Sequence, residues 1–204
     1  MKIEDLKLKN EKLEEQLREA ATGREIGRHD MVQEHHKGEQ CLVVGDSKIR
    51  NVGTGQNNMK ADCFSGIRME QLHRVLENRD LGTPDTVVIH VGTNDLKRSV
   101  NLDYVMGEVY SLVNKAKVKF PQSKIVLSGI LQQTDVSWRR IGALNDRYDW
   151  MAKTLRVTFV DPNSWLENWD FTRDRLHINR RGARRLSQLY SRVGGLDGRG
   201  KKMD

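Results

Sequence analysis

The sequence predicts an α/β domain of three layers, with helices on both faces of a five-stranded parallel sheet, preceded by a separate N-terminal helix. Three observations carry this expectation. Short strand-like runs alternate with longer stretches of helical periodicity from residue 41 onward. The first and third runs both end on glycine followed by polar residues, "GDS" and "GTND". The opening segment follows a heptad period that nothing later shares.

The strand-like runs are "QCLVVG", "MKADCF", "DTVVIHVG", "KIVLSGIL" and "RVTFVD". Between them stand "IRMEQLHRVLENR", "VNLDYVMGEVYSLVNKAKVKF" and "RIGALNDRYDWMAKTL", whose apolar residues recur at helical spacing. Strand then helix, repeated, implies right-handed crossovers and parallel pairing, and five strands suggest the flavodoxin-like order 2-1-3-4-5. In that order the first and third strands are neighbours, and ligands bind beyond their carboxyl ends. The domain is placed at residues 40–194.

In "MKIEDLKLKNEKLEEQLREAA" the residues Ile3, Leu6, Asn10, Leu13, Leu17 and Ala20 fall on the a and d positions of a heptad repeat. Residues 1–22 are therefore expected to form a coiled-coil segment. Asn10 at an a position favours a parallel homodimer in register, because its amide is costly to bury unless it meets its own copy. Lys9 at g and Glu14 at the following e can pair between chains, while Lys2 and Lys7 repel. Residues 23–39 lose all periodicity and read as a linker.

No apolar run approaches the roughly 18 residues that a membrane span needs. The opening "MKIEDLKLKN" lacks the apolar stretch of a secretory signal, so a cytoplasmic protein is expected. The two cysteines, Cys41 and Cys63, are too few for a disulfide framework and are expected to be buried and reduced. The formal net charge is +7, and residues 173–204, with eight Arg and two Lys against three Asp, hold the whole excess. A basic helix face and a basic tail over 195–204 fit RNA or an anionic membrane surface, and equally a solvated helix face with a loose end, since charge runs alone specify no partner. No phosphate loop of the G-x-x-x-x-G-K-[ST] type occurs, which disfavours nucleotide hydrolysis.

In "CLVVGDSKIR" four largely buried positions give way to Gly45-Asp46-Ser47, which puts a serine where a central strand ends. A nucleophilic serine needs a base and an acid that orients it. Of the six histidines, His29, His35 and His36 lie in the linker, His73 lies in a helix, and His90 reads as a core residue in mid-strand. His177 remains, with Asp174 three residues earlier in "DRLHINRRG". That spacing suggests one helical turn, in which Asp174 accepts from Nδ1–H and leaves Nε2 free toward Ser47. Asn94 can aim a side-chain N–H into the same crevice, and Gly66 in "CFSGIRME" can offer a backbone N–H at a helix N-terminus. With the N–H of Ser47 they make a three-donor oxyanion hole. The adjacent His35 and His36 have no cysteine or carboxylate array at zinc-like spacing, so no metal is expected.

Gly45-Asp46-Ser47, Gly66, Gly92-Thr93-Asn94-Asp95 and Asp174-x-x-His177, in this order, resemble the SGNH (GDSL-type) hydrolases. The resemblance implies a serine esterase acting on acyl esters, acetyl or lipid, without a cofactor. It assigns Ser47 as nucleophile, His177 as general base, Asp174 as its orienting acid, and Ser47, Gly66 and Asn94 as oxyanion donors. Lys48 departs from the pattern, since an apolar residue usually follows the serine. The wider arrangement of coiled coil, linker, SGNH domain and basic tail resembles the first-open-reading-frame protein of LINE-type (non-LTR) retrotransposons that carry an esterase domain. That implies self-association and contact with RNA or lipid. Two readings compete with the enzyme: a nucleic-acid or membrane scaffold with a relic esterase site, and a coiled-coil adaptor. Trp165, Trp169 and Phe171 in "NSWLENWDF" either wall an acyl site or pack the last helix.

Overall fold

The computed structural model of the protein describes residues 40–99 and 101–196. The coiled coil and linker expected over 1–39, and the basic tail from residue 197 on, lie outside the described residues. Five strands, β1 (Cys41–Gly45), β2 (Met59–Cys63), β3 (Thr86–His90), β4 (Lys124–Ser128) and β5 (Thr158–Val160), form one sheet in the order β2-β1-β3-β4-β5. Every neighbouring pair is parallel, as the alternation predicts.

The helices are α1 (Met69–Asn78), α2 (Thr93–Arg98), α3 (Leu102–Lys119), α4 (Trp138–Thr154) and α5 (Arg180–Gly194). The sequence reading leaves α2 out, because six residues are too few for a helical period to register. The layers are unequal. Leu42, Val44, Val87, Ile89 and Leu127 point to the face covered by α1, α3 and α4, where Leu72, Leu112 and Leu144 meet them in one buried cluster. Cys41, Val43, Val88 and Val126 point the other way, against Leu186, Leu189 and Tyr190 of α5. Alternate residues of the same strand are thus buried on opposite faces, which is why the runs read as continuous apolar stretches and not as apolar–polar alternation. Both cysteines are free, and burial pushes the Cys41 thiol up to about 12. Cys63 is only half-buried. Among the described residues no helix is long and apolar enough to cross a membrane.

Helix α5 is amphipathic, with Ala183, Leu186 and Tyr190 buried and Arg180, Arg181 and Arg184 exposed. Asn179 caps its start by accepting from the N–H groups of Arg181 and Gly182, and Gly195 closes its end in the left-handed conformation at φ +78°. Part of the basic face serves the fold itself. Arg181 and Arg185 pair at 3.2 Å with Asp170, whose side chain is fully buried, and Arg192 stacks on the Trp165 ring at 4.9 Å.

The register of β1 against β3 brings Gly45 opposite His90. A side-chain carbon at Gly45 would fall 2.0 Å from the His90 carbonyl oxygen, which no flexible atom can vacate. Gly45→Ala should therefore lower stability by about 3 kcal/mol or more, at the upper end of overpacking effects, read as a reduced midpoint in urea denaturation. A shift below about 1 kcal/mol would show that the strands separate freely here.

Candidate active site

Strand β1 stops because Asp46 turns the chain. Its backbone N–H donates to the His90 carbonyl at 3.1 Å, and its carboxylate accepts from the Lys48 N–H at 3.0 Å, capping a 3-10 turn over Ser47–Ile49. Asp46 is buried, and Ser47 stands half-buried at the head of the turn. Lys48 is 5% exposed, and burial pulls its pKa below the ordinary lysine value while Asp46 opposes the shift.

Asp174 and His177 lie on an irregular loop that follows β5. The loop is closed by an antiparallel bridge between Phe171 and Ile178, and Arg175 within it takes φ +54°. This corrects the expectation of a single helical turn: the spacing of three is met by a tight loop whose ends are pinned. Thr172 does the pinning: its backbone N–H donates to the His177 carbonyl at 2.9 Å, and its hydroxyl, also 2.9 Å from that carbonyl, donates to the Asp174 carboxylate at 2.5 Å. His177 Nδ1 stands 3.6 Å from Asp174 Oδ2, an ion-pair distance slightly beyond hydrogen-bond reach. The Thr172 hydroxyl, the Leu176 N–H and the His177 ring hold the Asp174 carboxyl down at about 2. It therefore stays ionised throughout the range in which an imidazole changes charge. Ser47 Oγ and the His177 ring do not hydrogen-bond to each other in this structure. Catalytic contacts of this kind are often looser before substrate binds.

The "GTND" block has a distinct task at each position. Gly92 takes φ +130°, and a Cβ there would meet the Tyr148 hydroxyl at 2.2 Å. Tyr148 itself donates to the Val91 carbonyl at 3.0 Å. Thr93 opens α2, buried. Asn94 Nδ2 donates to the Ile67 carbonyl at 2.9 Å, which occupies one of its two N–H bonds and ties it to the segment after Gly66. Asp95 accepts from the Met69 N–H at 3.2 Å and anchors the start of α1. Gly66 is corrected in place. It sits two residues before the Arg68 N-cap, in a turn closed by Ile67 N–H donating to Phe64 at 3.3 Å, and not at the helix terminus. Its φ of +72° at the third position of that turn suits glycine.

His90 is the last residue of β3, not mid-strand, and is fully buried. Its Nδ1 lies 3.0 Å from Ser128 Oγ and 3.1 Å from the Tyr190 hydroxyl, and burial lowers its pKa. It links β3, β4 and α5 from inside the core. The three aromatic residues divide. Trp165 donates from Nε1 to the Arg185 carbonyl at 2.9 Å and so packs α5. Trp169 is 58% exposed with Arg181 over its ring. Phe171 lines a cleft beside the Asp174 loop.

The family model for GDSL-like lipases and acylhydrolases matches residues 27–185. The chain belongs to that family. It is an ester hydrolase. Among solved structures, a Streptococcus pneumonia protein described as a platelet activating factor is 19% identical, with a TM-score of 0.66 over 94% of this chain and 95% of that one. Est24, a carbohydrate acetylesterase from Sinorhizobium meliloti, is 14% identical, with a TM-score of 0.62 over 78% and 99%. The esterase domain of the ZfL2-1 ORF1 protein from the zebrafish ZfL2-1 retrotransposon is 27% identical, with a TM-score of 0.42 over 76% and 97%. A comparison with curated proteins gives no match.

The part of the block that sequence reasoning missed is Asp95. Burial raises its carboxyl from the ordinary 3.8 to about 6, against the pull of the Met69 N–H. The folded protein therefore holds this proton more tightly than the unfolded chain. The associated stability is complete below about pH 4 and is lost as pH rises through about 6. Asp95→Asn keeps an acceptor for Met69 but cannot ionise. Its stability relative to the parent should thus increase between pH 4 and pH 7 in urea denaturation, and a pH-independent difference would contradict the assignment.

Proposed function

We propose that this ester hydrolase works through Ser47, His177 and Asp174, with the backbone N–H groups of Ser47 and Gly66 and the side chain of Asn94 receiving the oxyanion. The observation that carries the reading is the pairing of Asp174 with His177 at 3.6 Å, on a loop that Thr172 and the Phe171–Ile178 bridge hold closed. In the first step His177 takes the Ser47 proton as Oγ attacks the acyl carbon, and Asp174, ionised, orients the ring and stabilises the imidazolium. The carbonyl oxygen gathers negative charge against the three donors. Collapse releases the alcohol, protonated by His177, and leaves an acyl-serine. Water, deprotonated by His177, then attacks that ester, and the acid departs from a regenerated Ser47.

The second N–H of Asn94 supports its place among the donors, since the first already fixes the amide to Ile67. Acyl esters, acetyl or lipid, are the substrate class. In this reading residues 1–22 form a parallel coiled-coil homodimer, 23–39 a linker, 40–194 the esterase domain and 195–204 a basic tail. The order of these parts, resembling retrotransposon first-open-reading-frame proteins, supports a cytoplasmic, self-associating protein. The exposed Arg180 and Arg184 of α5, with the tail beyond, would meet RNA or an anionic membrane surface.

Hydrolysis of p-nitrophenyl acetate near pH 8 tests the reading. The parent should turn over, and Ser47→Ala should lose about 10³-fold or more in kcat/KM with its fold intact by circular dichroism. Activity indifferent to Ser47 would favour the relic-site scaffold, in which salt-sensitive binding through the C-terminal arginines is the function.

A further inference from the structure

The order of the strands sets a constraint on the proposed base. Ser47 follows β1, whereas Asp174 and His177 follow β5, which stands at the sheet edge with β3 and β4 in between. At about 4.8 Å between neighbouring strands, roughly 14 Å of sheet separates the two origins. The turn at Thr134 and Asp135, which follows β4, arises within that interval and bonds in both directions. Asp135 pairs at 2.6 Å with Lys97 of α2, three residues beyond Asn94. Thr134 donates from Oγ1 to the Asp174 carbonyl at 3.1 Å.

The Asp174 loop otherwise holds to itself. The bonds of Thr172 to His177 and Asp174, of the Arg175 N–H to the Thr172 carbonyl, and of the Leu176 N–H to the Asp174 carboxylate all close within it. Ile178 anchors its far end in the core beneath α5, while Arg173, Asp174 and Arg175 are exposed. Among the described residues, Thr134 is the source of the single hydrogen bond that reaches residues 172–178 from outside the loop. It lands where support is needed most. Arg175 takes φ +54°, a left-handed conformation that a residue with a side chain keeps only where its surroundings hold it, and the carbonyl that Thr134 binds belongs to the same peptide unit.

We infer that Thr134, Asp135 and Lys97 are positioning residues for the base: the turn after β4 braces the Asp174 loop against α2, and so sets His177 at its working distance from Ser47 and from the Asn94 side chain. The inference rests on the esterase reading above, and it adds how the base and the oxyanion side are held in register. Thr134 fixes the orientation of the peptide between Asp174 and Arg175. The Lys97–Asp135 pair keeps the turn from drifting away from the helix that carries Asn94. The three residues exchange no proton and no bond with the substrate. Their effect is geometric, and a displacement of about 1 Å at a reacting group is enough to cost about 10²-fold in rate.

The test is steady-state hydrolysis of p-nitrophenyl acetate by the parent, Thr134→Val, Thr134→Ser, Lys97→Met and the double variant Thr134→Val with Lys97→Met, with Ser47→Ala as the control for the reaction itself. His177 acts in both acyl-transfer steps, so a misplaced base lowers kcat and leaves KM within about threefold. Thr134→Val should lose about tenfold or more in kcat, and Thr134→Ser, which keeps the hydroxyl, should stay within about threefold of the parent. Lys97→Met should lose about threefold, the scale of a partly exposed ion pair, and should add nothing measurable to Thr134→Val, because the brace is then already released. Thr134 and Lys97 are exposed, so every variant should keep the parent's thermal midpoint within a few degrees. An unmoved kcat in Thr134→Val, a change confined to KM, a loss that Thr134→Ser does not recover, or losses at Thr134 and Lys97 that multiply would each overturn the brace. If the parent shows no Ser47-dependent turnover, the esterase reading fails on its own, and amide hydrogen exchange then decides the brace. Exchange over residues 172–178 about threefold faster or more in both Thr134→Val and Lys97→Met upholds it, and exchange unchanged in either variant rejects it.

Discussion

The arrangement of the whole site depends on the close approach of β1 to β3. Gly45 has no side chain, so its backbone comes against the His90 carbonyl, and Asp46 continues the pairing by donating to that same oxygen at 3.1 Å. Two central strands therefore end at one level, one delivering Ser47 and the other leading through Gly92 into the block that carries Asn94. A larger residue at Gly45 would separate the two ends, and one at Gly92 would strike the Tyr148 hydroxyl. His90 secures the seam from beneath, bonded through one ring nitrogen to Ser128 and Tyr190 in a buried triangle. Burial keeps that imidazole neutral, so it braces the core without adding charge under the nucleophile.

From that seam the remaining elements are held by side chains that bond to backbone. Asn94 and Asp95, adjacent in α2, grip the Ile67 carbonyl and the Met69 N–H. One short helix thus fixes both the turn that presents Gly66 and the start of α1. After β5, Thr172 holds the Asp174 loop through its backbone N–H and its hydroxyl, and the carboxylate stands 3.6 Å from the imidazole. In the mechanism proposed above, these bonds hold the donors and charges in place before substrate arrives.

Much of this was legible in the residues. The strand order followed from five short runs separated by helical patterns, because parallel pairing with right-handed crossovers leaves few alternatives. Ser47 and Asn94 could be named as candidates because polar residues follow the ends of β1 and β3, and Asp174-x-x-His177 because its spacing pairs an acid with an imidazole. What escaped was conformation at the scale of a few residues. The Asp174 loop was read as a helical turn because a spacing of three suits a helix equally well, and nothing local announces that Thr172 and the Phe171–Ile178 bridge will close it differently. Gly66 was placed at a helix terminus, whereas its turn ends before the Arg68 cap. Helix α2 was invisible to periodicity, and with it the role of Asp95.

The central claim is that Ser47 is a nucleophile activated by His177 in a prepared crevice. The most direct measurement is the intact mass of the protein after exposure to a fluorophosphonate, followed by peptide mapping. The account predicts one phosphonyl adduct per chain, on Ser47, formed at least a hundredfold more slowly in His177→Ala. No adduct, an adduct on another residue, or labelling of Ser47 at the same rate without His177 would contradict it.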